Sequence, residues 1–193
     1  SSLVYDVYHK GINISRISLR VPGEHNVLNS LAAFIVAYEC CGVENRFITK
    51  GLAKFIGAKR RFETKGHVAG VWVVDDYAHH PTEIKATLKA AKELEKHRVI
   101  CVFQPHRYSR TFLLKDEFAT AFTSADEIYM TDIYSSGEDP IEGIDGHTIP
   151  NAISEATQQH VNYVEDVNDL PAILAKVVRQ NDLVITMGAG SIN

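Results

Sequence analysis

The sequence contains no GxxxxGK(S/T) motif, and the dipeptide Gly-Lys occurs nowhere in its 193 residues. It therefore has no evident loop for cradling a triphosphate. Cysteine is scarce, with three residues in all, which excludes a disulfide framework. Cys40 and Cys41 are neighbours in an apolar helical run and Cys101 lies inside the strand-like VICVF, so all three are expected to be buried, reduced thiols. Long apolar runs are also missing. The longest, SLAAFIVAYECCGV, is too short to cross a bilayer and contains Glu39, and the first residues carry no signal-peptide pattern. Membrane insertion is not expected, and a reducing cytoplasm is the expected setting. A net charge of only -4 leaves no basic field to attract nucleic acid. Any recognition of anions has to be local.

What is present is ordinary for a globular protein: 45% hydrophobic and 23% charged residues. From residue 66 onward, the short β-rich runs GVWVV, RVICVF, EIYMTDI, VNYV and LVITM alternate with amphipathic segments. This is the pattern of an α/β fold, a mostly parallel sheet with flanking helices. Ile84, Leu88, Ala91 and Leu94 form one helical stripe, introduced by Pro81 and Glu83 and closed by Lys96, His97 and Arg98. Further helices are expected near 112–123, 151–159 and 169–179. Residues 1–62 differ: an alternating strand pair, a turn at Pro22 and Gly23, then two helical runs. A strand pair with no sheet of its own suggests the tail of a domain whose front is missing.

Ligands of open α/β sheets sit beyond the carboxyl ends of the strands, and three polar clusters fall there: DDYAHHP, QPHRYSRT and GAGSIN. Together they indicate a site. No metal site is expected of His79 and His80, because adjacent residues in extended chain point apart and no HxxxH spacing supplements them. The pair is expected to split, one ring facing ligand and the other buried and hydrogen-bonded. Arg107 and Arg110 can converge on a carboxylate or phosphate, or make surface ion pairs with Asp116 or Glu117. GAGS is either a phosphate-facing turn or a plain tight turn. Asn26 and Asn29 share a helix face and offer the donor and acceptor pattern that adenine requires, but helix capping is the reading that their spacing alone favours. An arginine of RRFE could reach phosphates or brace an interface through ion pairs.

Taken in order, GEHNVLNSLAA, RRFE, DDYAHHPTEI, FQPHRYSRT and MGAGSI resemble the later part of a Mur ligase. The resemblance covers nearly the whole chain and implies that residues 1–62 are the end of a central ATP-binding domain and residues 63–193 a C-terminal Rossmann-like domain. It implies an ADP-forming, amide-forming ligase of peptidoglycan precursor synthesis, with ATP and Mg2+, in which the magnesium ligands lie in the missing part of the central domain. FQPHRYSRT points to the members that join L-alanine to UDP-N-acetylmuramate; the recycling members that attach a tripeptide share AHHP. Carried over by position, His25, Asn26 and Asn29 contact adenine, Arg61 the phosphates and Asp76 the ribose. Tyr77, His79, His106, Arg107 and Arg110 face the amino acid, and His79, Arg107 and Arg110 act at the reacting centre. The chain alone, without a P-loop, is expected to be inactive. Ser191 departs from the acidic residue more usual after GAG. A non-catalytic nucleotide- or anion-binding α/β module is the alternative from another class.

Overall fold

The computed structural model describes residues 3–21, 24–94 and 98–192, without the side chains of Glu24 and His25. The expected turn at Pro22 and Gly23 and the helix end at Lys96 and His97 lie outside the described residues. The chain divides into two compact units, Ser1–Ala58 and Lys59–Asn193.

In the first unit, β1 (Leu3–His9) and β2 (Ile12–Leu19) form a two-stranded antiparallel sheet. Lys10 and Gly11 make the turn with φ of 50° and 80°, the left-handed pair that a two-residue hairpin needs. Alternation places Val7, Ile17 and Leu19 inward, against Phe34 of α1 (Glu24–Ile35) and Ile48 of α2 (Asn45–Lys54). A π-helical segment, Val36–Cys40, follows α1. It turns Cys40 and Cys41 outward, so both are exposed. The expectation of burial fails for this pair because only one stripe of that apolar run meets the hairpin; it holds for Cys101.

The second unit contains one six-stranded sheet. The strands are β3 (Glu63–Val68), β4 (Val71–Asp76), β5 (Val99–Phe103), β6 (Glu127–Thr131), β7 (Val161–Val164) and β8 (Leu183–Met187), in the order β3-β4-β8-β5-β6-β7. Only β3 is antiparallel to its neighbour. All five residues of β5 are buried, as an apolar strand covered on both faces requires. One face packs on α3 (Pro81–Glu93), α4 (Tyr108–Phe118) and α5 (Thr148–Thr157), through Ile84, Leu88, Phe118 and Ile153. The other packs on α6 (Leu170–Val177), through Leu170, Ile173 and Leu174. This is the α/β architecture expected from the alternation. No helix among the described residues is long and apolar enough to cross a membrane.

Two expected details move. Helix α3 ends at Glu93, leaving Leu94 as an exposed C-cap, and Arg98 lies below β5 instead of closing the helix. Arg98 donates to Asp182 at 3.1 and 2.6 Å, to Glu127 and to the Val177 carbonyl at 2.9 Å. It staples the amino ends of the parallel strands.

Candidate active site

Register sets the site. Asp76 of β4 and Phe103 of β5 both pair with Met187 of β8, so the two outer strands end level and their exit loops begin side by side. The turn after β8 is built from small residues. A Cβ on Gly188 would stand 2.9 Å from the Gln104 carbonyl oxygen, and one on Gly190 would stand 2.5 Å from Gln104 Oε1 and 2.9 Å from Tyr134 Cγ. The glycines are thus required by close approach, which makes GAG a tight turn whose absent side chains let the flanking loops meet.

RRFE wraps the end of β4, and its two arginines separate. Arg60 turns inward: its Nε donates to the fully buried Asp75 at 2.9 Å, and its Nη atoms donate to the Gly188 carbonyl at 2.6 Å and the Gly190 carbonyl at 3.3 Å. Thr186 Oγ1 donates to Asp75 at 2.9 Å. Arg61 turns outward, half-exposed, with Glu83 at 3.8 Å. Asp76 accepts from the backbone amides of Phe62 at 2.7 Å and Ala78 at 2.8 Å, and is 5% exposed. Burial raises its carboxyl above the ordinary 3.8, against the pull of those two amides.

Beyond Asp76, His79 Nδ1 lies 2.8 Å from the Tyr77 carbonyl. A carbonyl only accepts, so Nδ1 carries the proton, and in the neutral ring Nε2 offers a lone pair. His80 is the N-cap of α3: its Nδ1 accepts from Thr82 N at 3.3 Å, and the Glu83 side chain completes a capping box. Neither ring of the pair is buried: His79 and His80 are both hydrogen-bonded and half-buried. Partial burial pushes the Glu83 carboxyl up, yet the His79 and His80 amides bring it below its ordinary 4.5.

Helix α4 begins at Tyr108, four residues before the expected start, so Arg107 is its N-cap and Arg110 lies in its first turn. The Arg110 Nη1 donates to His106 Nδ1 at 3.1 Å and to the His106 carbonyl at 3.3 Å. A guanidinium never accepts, so Nδ1 of His106 is unprotonated and its proton sits on Nε2. Burial, then Arg110 and Arg107, lower the His106 pKa from 6.5. The His79 and His106 rings are 6.2 Å apart between centroids. Side by side they present an Nε2 acceptor and an Nε2 donor.

Arg107 has φ 74° and ψ 136°, a region that costs a non-glycine residue about 1–3 kcal/mol. Its N–H donates to the Tyr134 carbonyl at 2.8 Å, and its guanidinium stands 3.8 Å from Glu138. Neither arginine pairs with Asp116 or Glu117 among the described residues. Tyr134 stacks on His106 at 5.6 Å. A cavity of about 550 Å³ at the carboxyl ends of β5, β6 and β7 is lined by Gln104, Asp132, Tyr134 and Asp166 among others. Gln104 Oε1 at its edge is buried without a hydrogen-bond partner.

The second unit therefore brings together Asp76, Tyr77, His79, His106, Arg107 and Arg110, with Arg61 on its rim. Asn26 and Asn29 lie in the first turns of α1 in the other unit, half-buried and exposed respectively; the side chain of His25 lies outside the described residues. Sequence reasoning left open which arginine of RRFE turns inward, and missed Tyr134, Ser109 and Glu138. A positive-φ arginine at a cap leaves no mark in sequence, although SGED, with its turn-forming Ser136 and Gly137 before an acid, was a usable signal.

Residues 60–190 match the family model described as Mur ligase, glutamate ligase domain. Among curated proteins, the UDP-N-acetylmuramate–L-alanine ligase of Syntrophus aciditrophicus is 48% identical over 191 residues, 98% of this chain and 39% of that protein. The enzyme of the same name from Geotalea daltonii is 48% identical over 187 residues, 96% of this chain and 40% of that protein. Among solved structures, the UDP-N-acetylmuramate-alanine ligase of Thermotoga maritima has a TM-score of 0.72 at 32% identity, covering 94% of this chain and 38% of that one. The murein peptide ligase of Psychrobacter arcticus has a TM-score of 0.69 at 28% identity, covering 91% and 36%. The chain spans about two fifths of the length of the curated relatives it matches. With its sheet order, its paired loops above a glycine turn and its match over residues 60–190, the chain belongs to the Mur ligase family.

Proposed function

We propose that the protein is an ATP-dependent ligase that joins L-alanine to the carboxylate of UDP-N-acetylmuramate in the cytoplasm, supplying peptidoglycan precursor. The observation that carries this reading is the pair of arginines at the start of α4, set beside two histidines of opposite hydrogen-bonding character, in a chain 48% identical to L-alanine ligases. In it, the first unit is the end of the ATP-binding domain and the second the C-terminal domain.

ATP activates the sugar carboxylate as an acyl phosphate; the alanine amine attacks, and the tetrahedral intermediate loses phosphate to leave the amide. Arg107 and Arg110 bind the alanine carboxylate and the oxygens on which charge grows. His106 donates through Nε2, and His79 accepts through Nε2 as the amine loses its proton. Tyr77 forms the wall beside them. Arg61 meets nucleotide phosphate, Asp76 accepts from the ribose, and His25, Asn26 and Asn29 contact adenine. No group of three or more His, Cys, Asp or Glu among the described residues fits a metal ion. No step through magnesium is therefore assigned to them.

The test is phosphate release from ATP by the full-length protein with UDP-N-acetylmuramate and magnesium, comparing L-alanine with the L-Ala-D-Glu-diamino-acid tripeptide. Release that requires L-alanine is expected. Release only with the tripeptide reassigns the protein to the recycling ligases, and release with neither refutes the enzyme reading.

A further inference from the structure

Arg107 occupies a backbone conformation that a side chain rarely tolerates, and its own side chain makes no cap for the helix it begins. Both deficits are met from one distant loop. Glu138 accepts from the Ser109 amide at 3.0 Å and from Ser109 Oγ at 2.6 Å, which is the work of a helix N-cap done by a residue about thirty positions downstream. The same carboxylate faces Arg107 Nη1 at 3.8 Å. The loop is fastened beside the strand exit by Tyr134 N donating to the Pro105 carbonyl at 2.8 Å and Arg107 N donating to the Tyr134 carbonyl at 2.8 Å. Ser136 and Gly137, with φ of 53° and 84°, turn the chain so that Glu138 comes back to α4.

The distances assign different jobs to the two partners. At 2.6 and 3.0 Å, Ser109 fixes where the carboxylate points. At 3.8 Å, the contact to Arg107 exceeds a direct hydrogen bond. It attracts and aims the guanidinium, and leaves its N–H groups to bind another anion.

We propose that Glu138 is the positioning residue of the site: fixed by Ser109, it caps α4 and aims Arg107 at the carboxylate of the amino acid. This rests on the reading of Arg107 as an anion-binding residue.

The experiment is a double-mutant cycle in the full-length ligase. Glu138→Gln is expected to raise the KM for L-alanine roughly tenfold, with a smaller fall in kcat because Arg107 also meets the oxygens on which charge grows, while the KM for ATP stays within about twofold. In an Arg107→Ala background, Glu138→Gln should add nothing. An equal effect in both backgrounds, or a matching rise in the KM for ATP, overturns the proposal and leaves the site reading intact. An Arg107→Ala protein with an unchanged KM for L-alanine overturns the site reading itself. Ser109→Ala should shift the alanine KM in the same direction by less, and guards against a poorly folded Glu138 variant. Independently of catalysis, the Arg107 Nε–H resonance should move in Glu138→Gln and stay in place in Lys92→Met; an unmoved signal in the former also overturns the proposal.

Discussion

At the amino ends of the strands, Arg98 holds two acids, Asp182 and Glu127, and a backbone carbonyl, and Lys92 holds Asp126 at 2.6 Å. At the carboxyl ends, Arg110 donates to a neutral imidazole and a carbonyl, Arg107 has one acid at 3.8 Å, and Arg61 has one at 3.8 Å. The residue types are similar, but the arrangements are not. The first end engages four of the five N–H groups of its guanidinium within the fold, which gives stability. The second holds its guanidiniums in place without neutralising them closely, which leaves capacity for an anionic ligand. Arg60 is the instructive exception: it stands at the ligand end yet is bound like Arg98, to a buried acid and two carbonyls.

Removing each group should expose that contrast. Arg98→Ala strands the nearly buried Asp182 and should lower stability by about 3–5 kcal/mol with no change in phosphate release per folded molecule; urea unfolding beside the activity assay checks both. Arg110→Ala should do the reverse, lowering kcat/KM for L-alanine by roughly a hundredfold while unfolding free energy changes by no more than about 0.5 kcal/mol. A large loss of stability there would erase the distinction between the two ends. Asp76→Asn replaces an acceptor of two backbone amides with a group that can face only one of them, and should cost about 1–3 kcal/mol in the same unfolding measurement.

The smallest effect concerns pH. His106 takes its proton less readily in the fold than its ordinary 6.5, chiefly through burial. The unfolded chain therefore binds that proton first. The stability held by the neutral ring is present above 6.5 and is lost as pH falls from 6.5 through the lowered folded value. His106→Gln, neutral throughout, should flatten that part of the stability profile. An unchanged slope in paired urea titrations would show that the ring is not held neutral.

Helix α3 was legible because its signals are local: Pro81 and Glu83 at the start, then Ile84, Leu88 and Ala91 on one buried stripe. The start of α4 was not, because its cap is Glu138, remote in sequence and joined only by folding. The site clusters could be read as three strand exits, since exits are where ligands of such sheets sit. Which of two adjacent arginines turns inward could not, because Arg60 and Arg61 carry the same chemistry and differ only in what lies on each side of the chain. Cys40 and Cys41 were misjudged for a related reason: hydropathy reports the run, and the partner surface decides which stripe of it is covered.

The placement of β8 between β4 and β5 also bears on how the molecule is made. Trp72 and Val99 both pair with Leu183, so within the sheet the two strands that carry the histidine loops are bridged by a strand synthesised long after them. On the ribosome, a nascent chain containing both loops still lacks the strand that sets their spacing, and its apolar β4 and β5 present unpaired edges until residues 183–187 emerge. The site is therefore assembled late and as a unit, and a message interrupted before that point should yield an aggregation-prone product, not a weakly active one.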